Sequence, residues 1–179
     1  MLTEKTDIEG LLIFKPEVFT DNRGYFFEAF NIEKYRELND YTFVQDNISK
    51  SVKNTIRGLH YQVGEYAQGK LCSVIVGKVL DVAVDLRSDS PTYGKYAALE
   101  LSGENKFQFW IPPGFAHGFS VLSEEAVFMY KCTALYSKQN ERCIIYNDTN
   151  LNIDWKNENP ILSPKDLQGK SFCEIEKDF

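Results

Sequence analysis

Over residues 78–87 the chain alternates: Leu80, Val82, Val84 and Leu86 fall on one side, Val79, Asp81, Ala83 and Asp85 on the other. A period of two marks a strand, because successive side chains leave a pleated backbone in opposite directions. The same pattern predicts strands over 71–76, 96–101, 107–111, 126–132 and 142–146. Turn signals fall between them at Gly77-Lys78, Ser90-Pro91, Ser102-Gly103 and Ser123-Glu124. Short strands at this spacing close into a sandwich or barrel rather than alternating with helices. An all-β, two-sheet jelly roll is therefore expected. One short helix is expected over 31–39, with Asn31 as cap, Glu33 in its first turn and Ile32, Tyr35 and Leu38 at helical spacing. The segment from Leu151 onward, with Pro160 and Pro164, reads as irregular chain laid over the barrel. Asp81 and Asp85 would line an enclosed pocket or face solvent, and solvent is the expectation.

At 179 residues the chain is long enough for one self-sufficient domain, 1–179. A net charge of −6 argues against nucleic acid or an anionic membrane surface as partner, since both require clustered cation. It does not exclude a small anionic ligand, which needs only a few local Arg and Lys. No apolar run approaches the ~20 residues that span a bilayer. No leader is evident at the N-terminus, and the four cysteines, Cys72, Cys132, Cys143 and Cys173, form no C-x-x-C pair. The expectation is a cytoplasmic protein whose cysteines are small buried hydrophobes.

Only two histidines are present. His60 sits in RGLHYQ and His117 in PPGFAHG. Histidine is the side chain that exchanges protons near neutral pH, yet a lone histidine is more often a hydrogen-bonded core residue, and only its neighbourhood can argue otherwise. The spacing Pro112-x-Gly114-x-x-His117 resembles the second motif of the cupin barrels. The paired H-x-H of a metal-binding cupin is missing, because His60 is followed by Tyr61 and Gln62. Two histidines cannot make a three-histidine set, so acid–base work is expected instead of a metal site. Such a histidine needs a carboxylate on its far nitrogen. Asp166, in LSPKD, is a candidate that spacing alone cannot place.

Seven segments then follow in one order: DNRGYFFEAF, QDNISKS, RGLHYQ, GKLCSVIVGKVLDVAVDLRSDSPTYGK, WIPPGFAHGF, VFMYKC and NIDWK…PILSPKD. Together, over residues 13–166, they resemble the dTDP-4-dehydrorhamnose 3,5-epimerases. The resemblance implies a cupin-type double-stranded β-helix and a cofactor-free isomerase inverting C3 and C5 of dTDP-4-dehydro-6-deoxyglucose. It makes His60 the general base, Asp166 its orienting carboxylate and Tyr130 the acid on the opposite ring face. Lys70 and His117 fall where the family stabilises an oxyanion. Arg23, Glu28, Gln45, Asn47, Arg57, Glu141 and Lys165 fall on its nucleotide-sugar surface, with Tyr136 stacking on thymine. In that family Arg23 and Glu28 reach a partner's active site, so a homodimer with shared sites is implied. Two other classes compete: an epimerase of one centre acting on a related ketosugar, and a sugar-nucleotide-binding cupin without catalysis. A metal-dependent cupin is a third.

Overall fold

The computed structural model describes residues 1–179. Thirteen strands run in chain order: β1 (Leu2–Lys5), β2 (Leu12–Lys15), β3 (Phe19–Asp21), β4 (Gly24–Phe26), β5 (Gln45–Val52), β6 (Ile56–Gln62), β7 (Lys70–Val76), β8 (Lys78–Asp85), β9 (Tyr96–Ser102), β10 (Gln108–Ile111), β11 (Phe115–Val121), β12 (Glu125–Cys132) and β13 (Glu141–Cys143). They form a six-stranded sheet ordered β1-β2-β10-β7-β12-β5 and a five-stranded sheet ordered β13-β6-β11-β8-β9, both antiparallel, with β3-β4 as a separate hairpin. This is the expected two-sheet jelly roll; each strand predicted from alternation is present, the one over 142–146 shortened to Glu141–Cys143. No helix is long and apolar enough to cross a membrane.

The alternation in β8 buries both faces rather than one. Val79 and Ala83 enter the core between the sheets, with Cys72, Leu101, Phe109 and Phe128. Val82 and Val84 enter a second core on the outer face, covered by Leu151 and Trp155, with Phe172 and Phe179 packed against it. The irregular tail is thus the third layer, tied down by bridges at Thr55–Ile161 and Ile144–Lys170. Asp81 and Asp85, expected to face solvent, share the inward side with Val79 and Ala83 instead, and both are fully buried. Asp85 survives burial because Arg87, Ser90 and Thr92 all bond to it. Burial would raise its pKa, but these partners hold it down at about 2.

The helix expected over 31–39 is only a turn followed by a 3-10 turn, Arg36–Leu38. Tyr35 and Leu38 dock into a third cluster with Phe14, Leu71 and Trp110, whereas Ile32 points outward. Tertiary docking of two side chains sets this segment's shape, overriding its helical spacing. The cysteine expectation also holds only in part. Cys72 and Cys132 are buried, Cys143 is half-buried and Cys173 is exposed.

Between the sheets, one half of the barrel is apolar, with the Phe119 and Phe128 rings stacked at 4.3 Å between centroids. The other half is polar. On β5 the residues with inward burial are Gln45, Asn47, Ser49 and Ser51, an alternation in which polar groups point in. A jelly roll that turns polar side chains inward is prepared to hold a polar ligand rather than to pack.

Candidate active site

The polar half opens into a cavity of about 380 Å³. Its two walls come from opposite sheets. His60 on β6 and His117 on β11 line it from the five-stranded sheet, and Lys70 on β7 and Tyr130 on β12 from the six-stranded one. The two histidines are direct cross-strand neighbours. Their strands approach unusually closely. A Cβ on Gly58 would lie 2.5 Å from the Gly118 Cα, and Gly58 has φ +128. The glycines of RGLH and HG therefore permit the bulged pairing that sets the histidines side by side.

Asp166 reaches this wall from a 3-10 turn of the tail. One of its oxygens, Oδ1, lies 2.8 Å from His60 Nε2. The oxygen is displaced from the line of the ring N–H, so the contact is close without being an aligned hydrogen bond. Backbone N–H groups of Gly58 and Ser163 and the Ser163 hydroxyl all donate to Asp166. Burial would raise its pKa; His60 and these donors hold it at about 2, so it stays anionic. Nε2 is enclosed, while the His60 side chain keeps 27% exposure on the cavity side, leaving Nδ1 as the ring nitrogen that can meet a ligand.

His117 Nε2 bonds to Asp81 Oδ1 at 2.8 Å inside the barrel wall. Burial lowers the His117 pKa and raises that of Asp81, and the second Asp81 oxygen has no partner. Both effects favour uncharged groups. Lys70 shares that tendency. It is buried, forms no salt bridge, and its Nζ has one hydrogen-bond acceptor, the His60 carbonyl oxygen at 3.5 Å, with the centre of the Tyr130 ring 6.0 Å away. Burial lowers its pKa. Once protonated, an amine without a carboxylate partner, facing a cavity, is a receptor for an anion. The loop before it is fixed by a Gln68 amide donating to the Ala134 carbonyl and by the Gly69 N–H donating to Thr133 Oγ1. Tyr130 has its pKa pushed up to about 12 by burial, so its phenol remains a proton donor.

At the rim, Glu141 accepts from the Tyr136 hydroxyl and from Lys165. Arg57 donates through Nε to Ser51 and has no carboxylate partner. Asn47, Arg57, Tyr136, Glu141 and Lys165 all line the cavity. Gln45 sits just behind, donating to Asn47 Oδ1 and accepting from the Tyr136 N–H. Arg23 and Glu28 do not line it. Arg23 is bound to Asp21 at the tip of the β3–β4 hairpin, and Glu28 to Asn31 and Lys34. Sequence reasoning did not anticipate Gln62, Gln68, Phe119 or Ser163 in the lining. Ser163 carries a signal, since it stands three residues before Asp166 as a cap would.

A jelly roll with an imidazole–carboxylate pair on one wall, and a phenol and an unpaired ammonium on the other, defines a cupin-type enzyme of proton transfer. The sequence model of the family described as dTDP-4-dehydrorhamnose 3,5-epimerase matches residues 5–174. A dTDP-4-dehydrorhamnose 3,5-epimerase from Shigella flexneri is 53% identical over 174 residues, covering 96% of each chain. The solved dTDP-6-deoxy-D-glucose-3,5-epimerase from Legionella pneumophila, in complex with dTDP-4-keto-L-rhamnose, has a TM-score of 0.93 at 49% identity, covering 98% of this chain and 94% of its own. A 3'-monoepimerase from Streptomyces bikiniensis, in complex with dTDP-quinovose, has a TM-score of 0.88 at 28% identity, covering 94% and 86%. The chain belongs to the dTDP-4-dehydrorhamnose 3,5-epimerase family.

Proposed function

We propose that this chain, as one domain over residues 1–179, inverts C3 and C5 of dTDP-4-dehydro-6-deoxyglucose to give dTDP-4-dehydrorhamnose. The observation that carries the reading is the division of labour between the walls: a base with its carboxylate on one sheet, a phenol and an ammonium on the other. Both reacting carbons neighbour the C4 carbonyl. His60 removes a proton from one face, Lys70 neutralises the enolate oxygen beside the uncharged His117, and Tyr130 returns a proton to the other face. Asp166 stabilises the imidazolium in between. Base and acid contribute about 10²–10⁴-fold each. An oxyanion donor adds roughly 10²–10³. Their product, roughly 10⁶–10¹¹, starts at the ~10⁶ where enzymatic accelerations begin. All three roles are filled by side chains, so the proton transfers call for no cofactor.

The nucleotide lies along the rim. Arg57 and Lys165 suit the diphosphate, Arg57 through its bidentate fork. Tyr136, held by Glu141 and Gln45, offers a ring for the thymine, and Asn47 a polar contact. Arg23 and Glu28 act in the cavity of a second copy, in a homodimer with shared sites. Support comes from the β3–β4 hairpin, which pairs with no other strand and exposes Phe19, Tyr25 and Phe26 around Arg23. Four unpaired cysteines suit a reducing, cytoplasmic compartment.

The test is incubation with dTDP-4-dehydro-6-deoxyglucose in D₂O. Deuterium at both C3 and C5 of an L-configured product is expected, and a folded, ligand-binding protein that labels neither carbon contradicts the reading. Label and inversion at one centre alone would support the second reading, a single-centre epimerase, which the likeness to the Streptomyces bikiniensis enzyme favours.

A further inference from the structure

Behind the catalytic imidazole stands a third group that the reaction does not use. Cys143 on β13 is the direct cross-strand neighbour of His60. The His60 nitrogen, the Cys143 sulfur and an Asp166 oxygen all lie within 4.8 Å of one another. His60 Nε2 is enclosed on this side and has no acceptor in line with it. We propose that His60, Cys143 and Asp166 form a binding site for a thiophilic divalent cation, Zn²⁺ foremost, whose occupancy shuts off the base.

The donor set is one imidazole, one thiolate and one carboxylate, a borderline-soft combination that favours Zn²⁺ over Mg²⁺. Bond lengths of ~2.0–2.3 Å set tetrahedral donors roughly 3–4 Å apart. The three atoms need only small shifts to reach that spacing, and water completes the fourth position. Binding expels the thiol proton to solvent. A second group, Cys72, Asp81 and His117, is gathered as tightly. There the His117–Asp81 hydrogen bond is aligned, and all three residues are buried, so the imidazole nitrogen is already committed.

The consequence for catalysis follows from imidazole chemistry and rests on His60 being the base. A neutral imidazole has one nitrogen lone pair. With a cation on Nε2, the ring proton sits on Nδ1, and nothing remains to accept a proton from the sugar. Because the cation lies behind the ring and outside the cavity, substrate binding is spared.

The experiment uses the full chain, phosphine-reduced, in a non-chelating buffer. Saturating Zn²⁺ is expected to lower kcat by ~10-fold or more with KM changed less than about twofold, reversibly with EDTA, whereas Mg²⁺ has no effect. C143A is expected to raise the Zn²⁺ concentration for half-inhibition by about 10–100-fold, measured against its own metal-free turnover. Cd²⁺ supplies the readout independent of activity. Its ultraviolet thiolate charge-transfer band is expected in the wild type and in C173A, which lacks the exposed cysteine, and not in C143A. No band in the wild type, or a band that persists in C143A, overturns the site, as does inhibition equal in wild type and C143A. A Cys143-dependent band with kcat untouched leaves a thiolate site but overturns the proposal that its occupancy shuts off the base.

Discussion

The barrel contains two histidine–aspartate pairs, side by side, each closed at 2.8 Å. They differ in what surrounds them. His117 and Asp81 have side chains only 7% and 0% exposed, their carboxylate comes from the adjacent strand, and burial favours their uncharged forms. His60 keeps 27% exposure and draws its carboxylate from the tail, where three donors hold Asp166 anionic. The same two side chains thus make a dry wall element in one place and a proton-handling pair in the other. Solvent access and the donors around the carboxylate decide which.

The comparison breaks most visibly at the imidazoles. H60N is expected to lower kcat by about 10²–10⁴-fold while the affinity for dTDP is retained; turnover and calorimetric titration measure the two. Across the cavity, K70M should cost roughly 10²–10³ in kcat through loss of the enolate's cation. An unchanged kcat in K70M would make that lysine a packing residue. At the rim, R57A removes a charged hydrogen-bonding partner of the diphosphate, and KM is expected to rise about tenfold with kcat little changed.

Stability separates the pairs in the opposite sense. H117A leaves Asp81 buried without its partner, at about 1–3 kcal/mol. Its melting temperature should fall on the order of 5 °C below that of H60A, whose carboxylate keeps its other donors. Acid sharpens the contrast further. The folded chain withholds the proton from Asp166 down to about pH 2, whereas the ordinary value is 3.8. Between those values the unfolded chain binds more protons, so this pair's contribution is full above the upper value and lost as pH falls through the lower. D166N should flatten that part of the stability curve, followed by urea unfolding at each pH.

Much of this arrangement was legible in the residues. Alternation found the strands from β7 to β10, β12 and β13, because strand period is a local property. The frame PPGFAHG pointed to a histidine entering a barrel. What stayed hidden depends on contacts distant in sequence. Asp81 reads as a surface aspartate until the second sheet closes over it. Asp166 meets His60 only because the tail returns over β6, and its role came from resemblance rather than spacing. Cys143 looked like a core thiol, because no local pattern reveals which residue stands opposite His60. The segment over 31–39 carries a helical period, yet Tyr35 and Leu38 serve as anchors for a coil.

On this reading the two walls hold opposite ends of one proton transfer. Solvent exchange in D₂O, compared between H60N and Y130F, tests it most directly. H60N is expected to show neither deuterium uptake nor inversion. Y130F should still take deuterium into the substrate, because the base can remove and return a proton on its own face, but inversion should fall by at least ~10²-fold. Inversion that persists in Y130F at the wild-type rate, or exchange undiminished in H60N, would contradict the account.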